Sequence, residues 1–309
     1  MRIVFMGTPD FSVPTLEALV KGGHQVAAVV TQPDKPKGRG KSILMTPVKE
    51  KAIELSIPVY QPVKVRDPEF MEVLKGLEPD VIVVVAFGQI LPKAVLELPK
   101  YGCVNVHASL LPKYRGAAPI QWAVIDGEKV SGVTTMLMDE GLDTGDMLEV
   151  KEIPLDEKET GGSLFDKLSR LGGELILSTL EKLEDGTIVR TPQGESGTGY
   201  AKMLKKSMGE IDWSMDAVKI ERLIRGLNPW PSAYTSLNGK TLKLWVADVV
   251  EKPVTGVPGR VTVGKDELLV ECGSGFLSVK ELQLEGKKRM DTAAFLRGFQ
   301  VEDGTVLKA

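Results

Sequence analysis

The chain has 309 residues, enough for two ordinary domains, with 42% apolar and 26% charged residues and no long biased tract. No run of about 18 apolar residues occurs, so no membrane-spanning helix is expected. A formal net charge of −3 argues against a uniformly basic nucleic-acid protein but leaves room for local basic patches.

The opening residues Met1–Met6 run straight into a strand pattern and not into a signal peptide. Arg2–Met6 is a short apolar run closed by Gly-Thr-Pro-Asp, and Ser12 is placed to cap a helix through Val20, with Gly22-Gly23 as its stop. Val26–Thr31 is a second β-branched run. A stretch with Lys35, Lys37, Arg39 and Lys41 among Pro and Gly follows; such a charge run reads first as a solvated face. Val48–Leu55 has helical spacing, Val81–Ala86 has the content of a strand buried on both faces, Leu91–Leu98 is helical, and Cys103–Val106 is another strand. This alternation predicts an α/β fold, a Rossmann-like, doubly wound and mainly parallel sheet. Ligands bind such sheets beyond the carboxyl ends of the strands, where Ala86-Phe-Gly88 and Asn105-Val-His107 fall.

Val130–Met138 and Met147–Ile153 read as two more strands around the acidic, glycine-containing loop Asp139–Asp146. Ser163–Leu183 is a long amphipathic helix that would close a first domain at residues 1–187. Residues 188–205 have the composition of a linker, and 206–309 form a second domain. There a helix over Asp216–Leu227 ends at Asn228-Pro-Trp-Pro231. Short β-like runs follow at Ala233–Leu237, Thr241–Val250, Gly259–Val263, Leu268–Cys272 and Leu277–Leu284, then a last helix over Asp291–Gly298. This pattern predicts a smaller C-terminal β-barrel of OB-like kind. Cys103 and Cys272 lack metal-ligand spacing and read as buried, reduced thiols of a cytoplasmic protein. Phe11, Trp122, Trp213 and Trp230 could stack on bases, but packing is the better reading of each, and Pro231 beside Trp230 points to a packed corner. Met136 and Met138 read as core.

Three polar groups are candidates for chemistry. Side chains two apart on a strand share a face, so Asn105 and His107 can address one atom together. Asp143, in the glycine loop, could hold the second ring nitrogen of His107. Such a set makes a side-chain oxyanion site, worth about 2.7–4 kcal/mol per well-placed donor. No Ser or Cys is placed as a nucleophile, so the nucleophile would belong to the substrate, and an amine is the natural one. Spacing alone leaves alternatives open: Asn-x-His is also a satisfied strand end, and an Asp-rich loop is also a hairpin or a weak metal site. The first turn, Gly7-Thr-Pro-Asp10, lacks the glycine spacing of a dinucleotide fingerprint.

Asn105-Val-His107-Ala-Ser-Leu-Leu-Pro-Lys-Tyr-Arg-Gly-Ala-Ala-Pro-Ile resembles the signature of the folate-dependent formyltransferases, as does Gly132-Val-Thr-Thr-Met-Leu-Met-Asp-Glu-Gly-Leu-Asp143-Thr-Gly. The resemblance implies that Asn105, His107 and Asp143 are the catalytic trio and that the formyl donor is 10-formyltetrahydrofolate. No metal is implied. Ser109, Leu110, Leu111 and Pro112 match the family's folate-contacting segment; Phe87, Gly88, Ile90, Leu91 and Asp139 are expected to complete the folate pocket. Gly7-Thr-Pro-Asp-Phe11, Thr31–Lys41, Ile211-Asp-Trp213 and Asn228-Pro-Trp-Pro231 are similar to the branch of the family whose acceptor is methionyl initiator tRNA. That similarity implies tRNA contacts from Lys37, Arg39 and Lys41; Arg suits the first base pair through bidentate and stacking contacts. By their charge, Lys205 and Lys206 could extend a phosphate-binding track over the second domain. A monomer is expected. The alternatives are the same transfer to a sugar-nucleotide or ribonucleotide amine, and hydrolysis of the formyl-folate.

Overall fold

The computed structural model describes residues 1–36 and 43–308. The chain divides into two compact units, one of Met1–Pro119, Val130–Pro154 and Phe165–Ala201, the other of Ile120–Lys129, Leu155–Leu164 and the chain from Lys202 on.

The strands of the first unit are β1 (Arg2–Gly7), β2 (Gln25–Val30), β3 (Lys35–Pro36), β4 (Ile43–Leu44), β5 (Val59–Tyr60), β6 (Val81–Val85), β7 (Cys103–His107), β8 (Val130–Leu137) and β9 (Met147–Pro154). Seven of them form one sheet in the order β5-β2-β1-β6-β7-β8-β9; β3 and β4 pair only with each other. The five strands from β5 to β7 run parallel, while β8 and β9 each reverse direction. The sheet is thus doubly wound and mainly parallel, with strand order reversing about β1, as the alternation predicted. β6 and β7 are buried at every position; for β6 its all Val and Ile content requires this.

Helices α1 (Val13–Lys21), α2 (Pro47–Glu54), α3 (Pro68–Gly76), α4 (Lys93–Leu96), α5 (Pro119–Ile125) and α6 (Gly161–Glu184) follow in chain order. The helix near the N-terminus differs from expectation at its start. A 3-10 turn over Asp10–Ser12 precedes α1, and Ser12 makes no side-chain cap. Its hydroxyl instead donates to the Val85 carbonyl at 2.6 Å, tying the turn to the end of β6. Thr46 does cap α2, its Oγ1 accepting from Lys49 N at 3.1 Å, with Pro47 at the first helical position. The helix expected over Leu91–Leu98 contracts to α4 because Pro92 is extended and Pro99 disfavours helical geometry at Leu98.

In the second unit α7 (Ala217–Gly226) is capped by Asp216, which accepts from Val218 N at 2.8 Å. Strands β10 (Ala233–Leu237), β11 (Lys240–Val250), β12 (Val261–Val263), β13 (Leu268–Glu271), β14 (Phe276–Leu284) and β15 (Met290–Asp291) then precede α8 (Thr292–Gly298), capped by Asp291. The sheet order is β10-β11-β14-β13-β12, with β15 on β14 and every pair antiparallel. It curls into a half-barrel around Trp213, Ile220, Leu242, Val270 and Phe295. The final residues bridge its two edges: Lys308 pairs with Ser236 of β10, and Val306 with Arg260 beside β12. Trp230 departs from the packed corner expected of it and is 54% exposed, because Leu227, Ser232 and Ala233 around it take the buried positions.

Candidate active site

β6 and β7 are parallel neighbours with Val84 beside Asn105, so their carboxyl ends bring Ala86-Phe87-Gly88 and His107 close together. Asn105 and His107 are both buried, at 8% and 6% exposure. The Asn105 carboxamide has no hydrogen-bond partner among the described residues. A buried amide with its donors unspent can bind a developing oxyanion without first breaking another bond.

Both ring nitrogens of His107 face acceptors. Nε2 lies 3.0 Å from the Tyr114 carbonyl, which can only accept, so that nitrogen carries a proton. Nδ1 lies 3.8 Å from Asp143 Oδ1, beyond direct hydrogen-bond length but close enough to tighten around a substrate. The other carboxylate oxygen, Oδ2, accepts from Gly116 N at 2.9 Å. The sequence predicted this meeting, but not its route. β8 ends at Leu137 beside Val104, near the start of β7, so the Asp139–Asp146 loop has to return along β7 to reach His107. The return is tight. Asp139 Oδ1 accepts from Gly141 N and Thr144 Oγ1, and a Cβ on Gly145 would lie 1.8 Å from the Leu137 carbonyl. Asp143 itself has φ +55°, a left-handed conformation uncommon outside glycine.

The residues expected at a folate pocket occupy three settings. Ser109–Pro112 is pinned by Thr134, which lies opposite His107 on β8. The Thr134 hydroxyl donates to the Ser109 carbonyl at 2.7 Å and accepts from Leu111 N at 3.1 Å. Leu110 lies over Gly132, where a Cβ would come within 2.5 Å of its Cδ2. At the end of β6, Ala86 and Gly88 both have positive φ, +46° and +85°, and the Phe87 carbonyl accepts from Thr8 Oγ1 and Gln32 Nε2. Phe87 and Leu91 belong to the core, while Ile90 is 75% exposed. Asp139 borders a cavity of about 330 Å³ that is also lined by Lys93, Leu96, Glu97, Leu137 and Met138.

Three comparisons bear on this site. The description "Formyl transferase" matches residues 1–180, and "Formyl transferase, C-terminal domain" matches residues 203–300. The methionyl-tRNA formyltransferase of Lachnospira eligens is 59% identical over 314 residues, covering 99% of both chains. That of Agathobacter rectalis is also 59% identical, over 306 residues and 99% of both chains. This chain belongs to the methionyl-tRNA formyltransferase family. Among solved structures, an N-formyltransferase from Helicobacter canadensis, crystallised with folinic acid and dTDP-3-aminofucose, shares the fold at TM-score 0.67 and 18% identity, over 93% of this chain and 99% of its own. HypX from Aquifex aeolicus with tetrahydrofolic acid matches at TM-score 0.62 and 20% identity, over 96% of this chain and 47% of the HypX chain.

Family membership leaves several groups that motif reading did not single out for a role: the Tyr114 carbonyl, the Gly116 amide and the Thr134 hydroxyl. The signal lay inside the two matching blocks, but backbone partners have no residue-type signature. Of the cations expected to meet tRNA, Lys205 and Lys206 are exposed, and Lys37, Arg39 and Lys41 lie outside the described residues. Phe11 packs edge-on against Phe165 with ring centroids 5.2 Å apart, and Trp213 is buried with its Nε1 donating to Thr235 Oγ1, so packing is the role of both. Among the described residues no group of His, Cys, Asp and Glu side chains could hold a metal ion, and no helix is long and apolar enough to cross a membrane.

Proposed function

We propose that this chain transfers the formyl group of 10-formyltetrahydrofolate to the α-amine of methionyl initiator tRNA. The observation that carries the reading is the convergence of Asn105, His107 and Asp143, from one strand and one distant loop, in a chain 59% identical to two methionyl-tRNA formyltransferases over their whole length.

The amine nitrogen forms its bond to the formyl carbon, and the bond from that carbon to the folate nitrogen breaks. Asn105 donates its free amide hydrogens to the formyl oxygen as negative charge builds there. His107 keeps its Nε2–H on the Tyr114 carbonyl, which orients the ring and leaves Nδ1 on the reacting side. Nδ1 takes the proton the amine loses, the Asp143 carboxylate facing it then holds the new N–H, and the proton passes on to the departing folate nitrogen. Ser109–Pro112, Asp139 and the turn at Phe87–Leu91 are the proposed surround of the donor, and that turn has left-handed backbone at Ala86 and Gly88. Arg39, Lys37, Lys41, Lys205 and Lys206 are the proposed tRNA contacts.

The test supplies 10-formyltetrahydrofolate with charged initiator tRNA and, separately, with charged elongator methionyl-tRNA. Formyl-methionyl product on the initiator alone is the expected result. Release of formate without product identifies a hydrolase, and transfer only to a sugar-nucleotide or ribonucleotide amine identifies a different acceptor; either outcome overturns the reading.

A further inference from the structure

We infer that Gln193 is a positioning residue for Asp143, and that residues 191–201 form a strap that holds both partners of His107. This rests on the formyl-transfer reading above. The two residues that meet the His107 ring, Tyr114 and Asp143, both have left-handed backbone, with φ +57° and +55°. Neither is glycine; Asp tolerates this region better than most residues, but Tyr does not, so Tyr114 above all must be held there by its surroundings. The strap supplies what holds it.

Gln193 uses both of its amide hydrogens on the loop, donating from Nε2 to the Asp143 carbonyl at 3.0 Å and to the Gly145 carbonyl at 2.7 Å. Its Oε1 accepts from Arg115 Nε at 3.0 Å and Nη2 at 2.8 Å. A guanidinium only donates and carbonyls only accept, so the amide can be oriented in one way alone. Arg115 lies between Tyr114, whose carbonyl holds His107, and Gly116, whose amide holds the Asp143 carboxylate. One glutamine therefore links the backbone on both sides of the imidazole. The rest of the strap repeats the pattern. Thr198 Oγ1 accepts from Tyr114 N at 2.8 Å, Ala201 N donates to the Arg115 carbonyl at 2.7 Å, and Thr191 exchanges two backbone bonds with Met147 at the loop's far end. Gln193 is half-buried and makes no bond to the reacting side chains themselves, so it acts through Asp143.

Steady-state formylation by Gln193→Met and Gln193→Glu, each alone and combined with Asp143→Asn, tests this. Gln193→Glu keeps the side chain's shape and an acceptor for Arg115 but sets a carboxylate oxygen against the two loop carbonyls, and it stands in if Gln193→Met does not fold. We expect kcat to fall about 10- to 100-fold. The KM values for both substrates should stay within about twofold. In the Asp143→Asn background the same changes should cost little more than Asp143→Asn alone. Unaltered kcat in a folded Gln193 variant, or an equal fold-loss with and without the Asp143 carboxylate, overturns the inference. Wild-type chain run alongside separates the failures. No product from it sinks the formyl-transfer reading and this one together, whereas active wild type with unaffected Gln193 variants sinks only this one.

Discussion

Asn105 is the residue whose state says most about the reaction. Its amide is only 8% exposed and has no protein partner among the described residues, so its donors are available to a ligand. We expect Asn105→Ala to lower kcat by about 10²–10³, which corresponds to about 2.7–4 kcal/mol, because the lost donor acts mainly where charge develops. The KM values should change far less, and initial-rate kinetics over both substrates separate the two effects. His107→Ala and Asp143→Asn should each cost a similar factor and combine less than additively, since they handle one proton between them. Gly145→Ala should also cut activity without touching the reacting groups, because its Cβ would collide with the Leu137 carbonyl and push the Asp143 loop aside. Restored activity on reverting this one position, with Asp143 intact throughout, is the matching check. At this scale the sequence pointed to Asn105, His107 and Asp143, since they stand in recognisable blocks. It was silent on the backbone groups that orient them. The carbonyl of Tyr114 and the amide of Gly116 exist at every residue, and only the fold selects which ones face a ring or a carboxylate.

At the scale of elements, the strands were the most legible part, because a run such as Val81–Val85 can be stable only when buried on both faces. The short elements β3, β4 and β5 and the helices α3 and α5 were not singled out, being too short or too mixed to show a period. Gln193 lay in a stretch whose Gly, Thr, Pro and Ser content resembles a linker, and composition says nothing about which carbonyl a glutamine reaches. One element-scale device has a measurable pH signature. Glu271 ends β13 at 1% exposure and gathers the 255–257 turn, accepting from Thr255 N, Thr255 Oγ1 and Gly256 N at 2.6 Å each and from Val257 N at 3.1 Å. Burial alone would raise its pKa, but the hydrogen bonds from Thr255, Val257 and Gly256 outweigh it and hold the carboxyl below the usual range. The folded state thus binds fewer protons than the unfolded chain. Its stabilising contribution is complete above the unfolded value of about 4.3 and is lost as pH falls through the lower folded value. Glu271→Gln should therefore destabilise the chain at pH 7 by about 1.5–3 kcal/mol, the worth of hydrogen bonds to a charged group. The deficit should shrink toward acid. Urea melts of both chains from pH 7 downward measure it, and a deficit that stays constant with pH would show that the carboxylate charge plays no part.

Across the whole molecule, two thiols and a weakly negative net charge constrain behaviour in solution. Cys103 and Cys272 are buried, and burial pushes each thiol up to about 12, so neither is a thiolate at neutral pH. A thiol reagent should label neither in the native chain and both after denaturation; labelling of folded protein would show that one of these regions opens locally. The net charge of −3 bears on the larger partner. An RNA polyanion is repelled by the average surface, so its affinity has to come from a few local cations and the counterions they release. Lys205 and Lys206 are exposed and adjacent, suited to meeting phosphates and carrying no part of the chemistry. Affinity for charged tRNA should then fall with added salt along a log–log line, and Lys205→Ala with Lys206→Ala should make that line shallower by about 2 if each lysine meets one phosphate. Turnover at saturating tRNA should hold, because the formyl centre is untouched. An unchanged slope in the double variant would remove both lysines from the interface and leave the recognition of the acceptor to the cations at Lys37, Arg39 and Lys41.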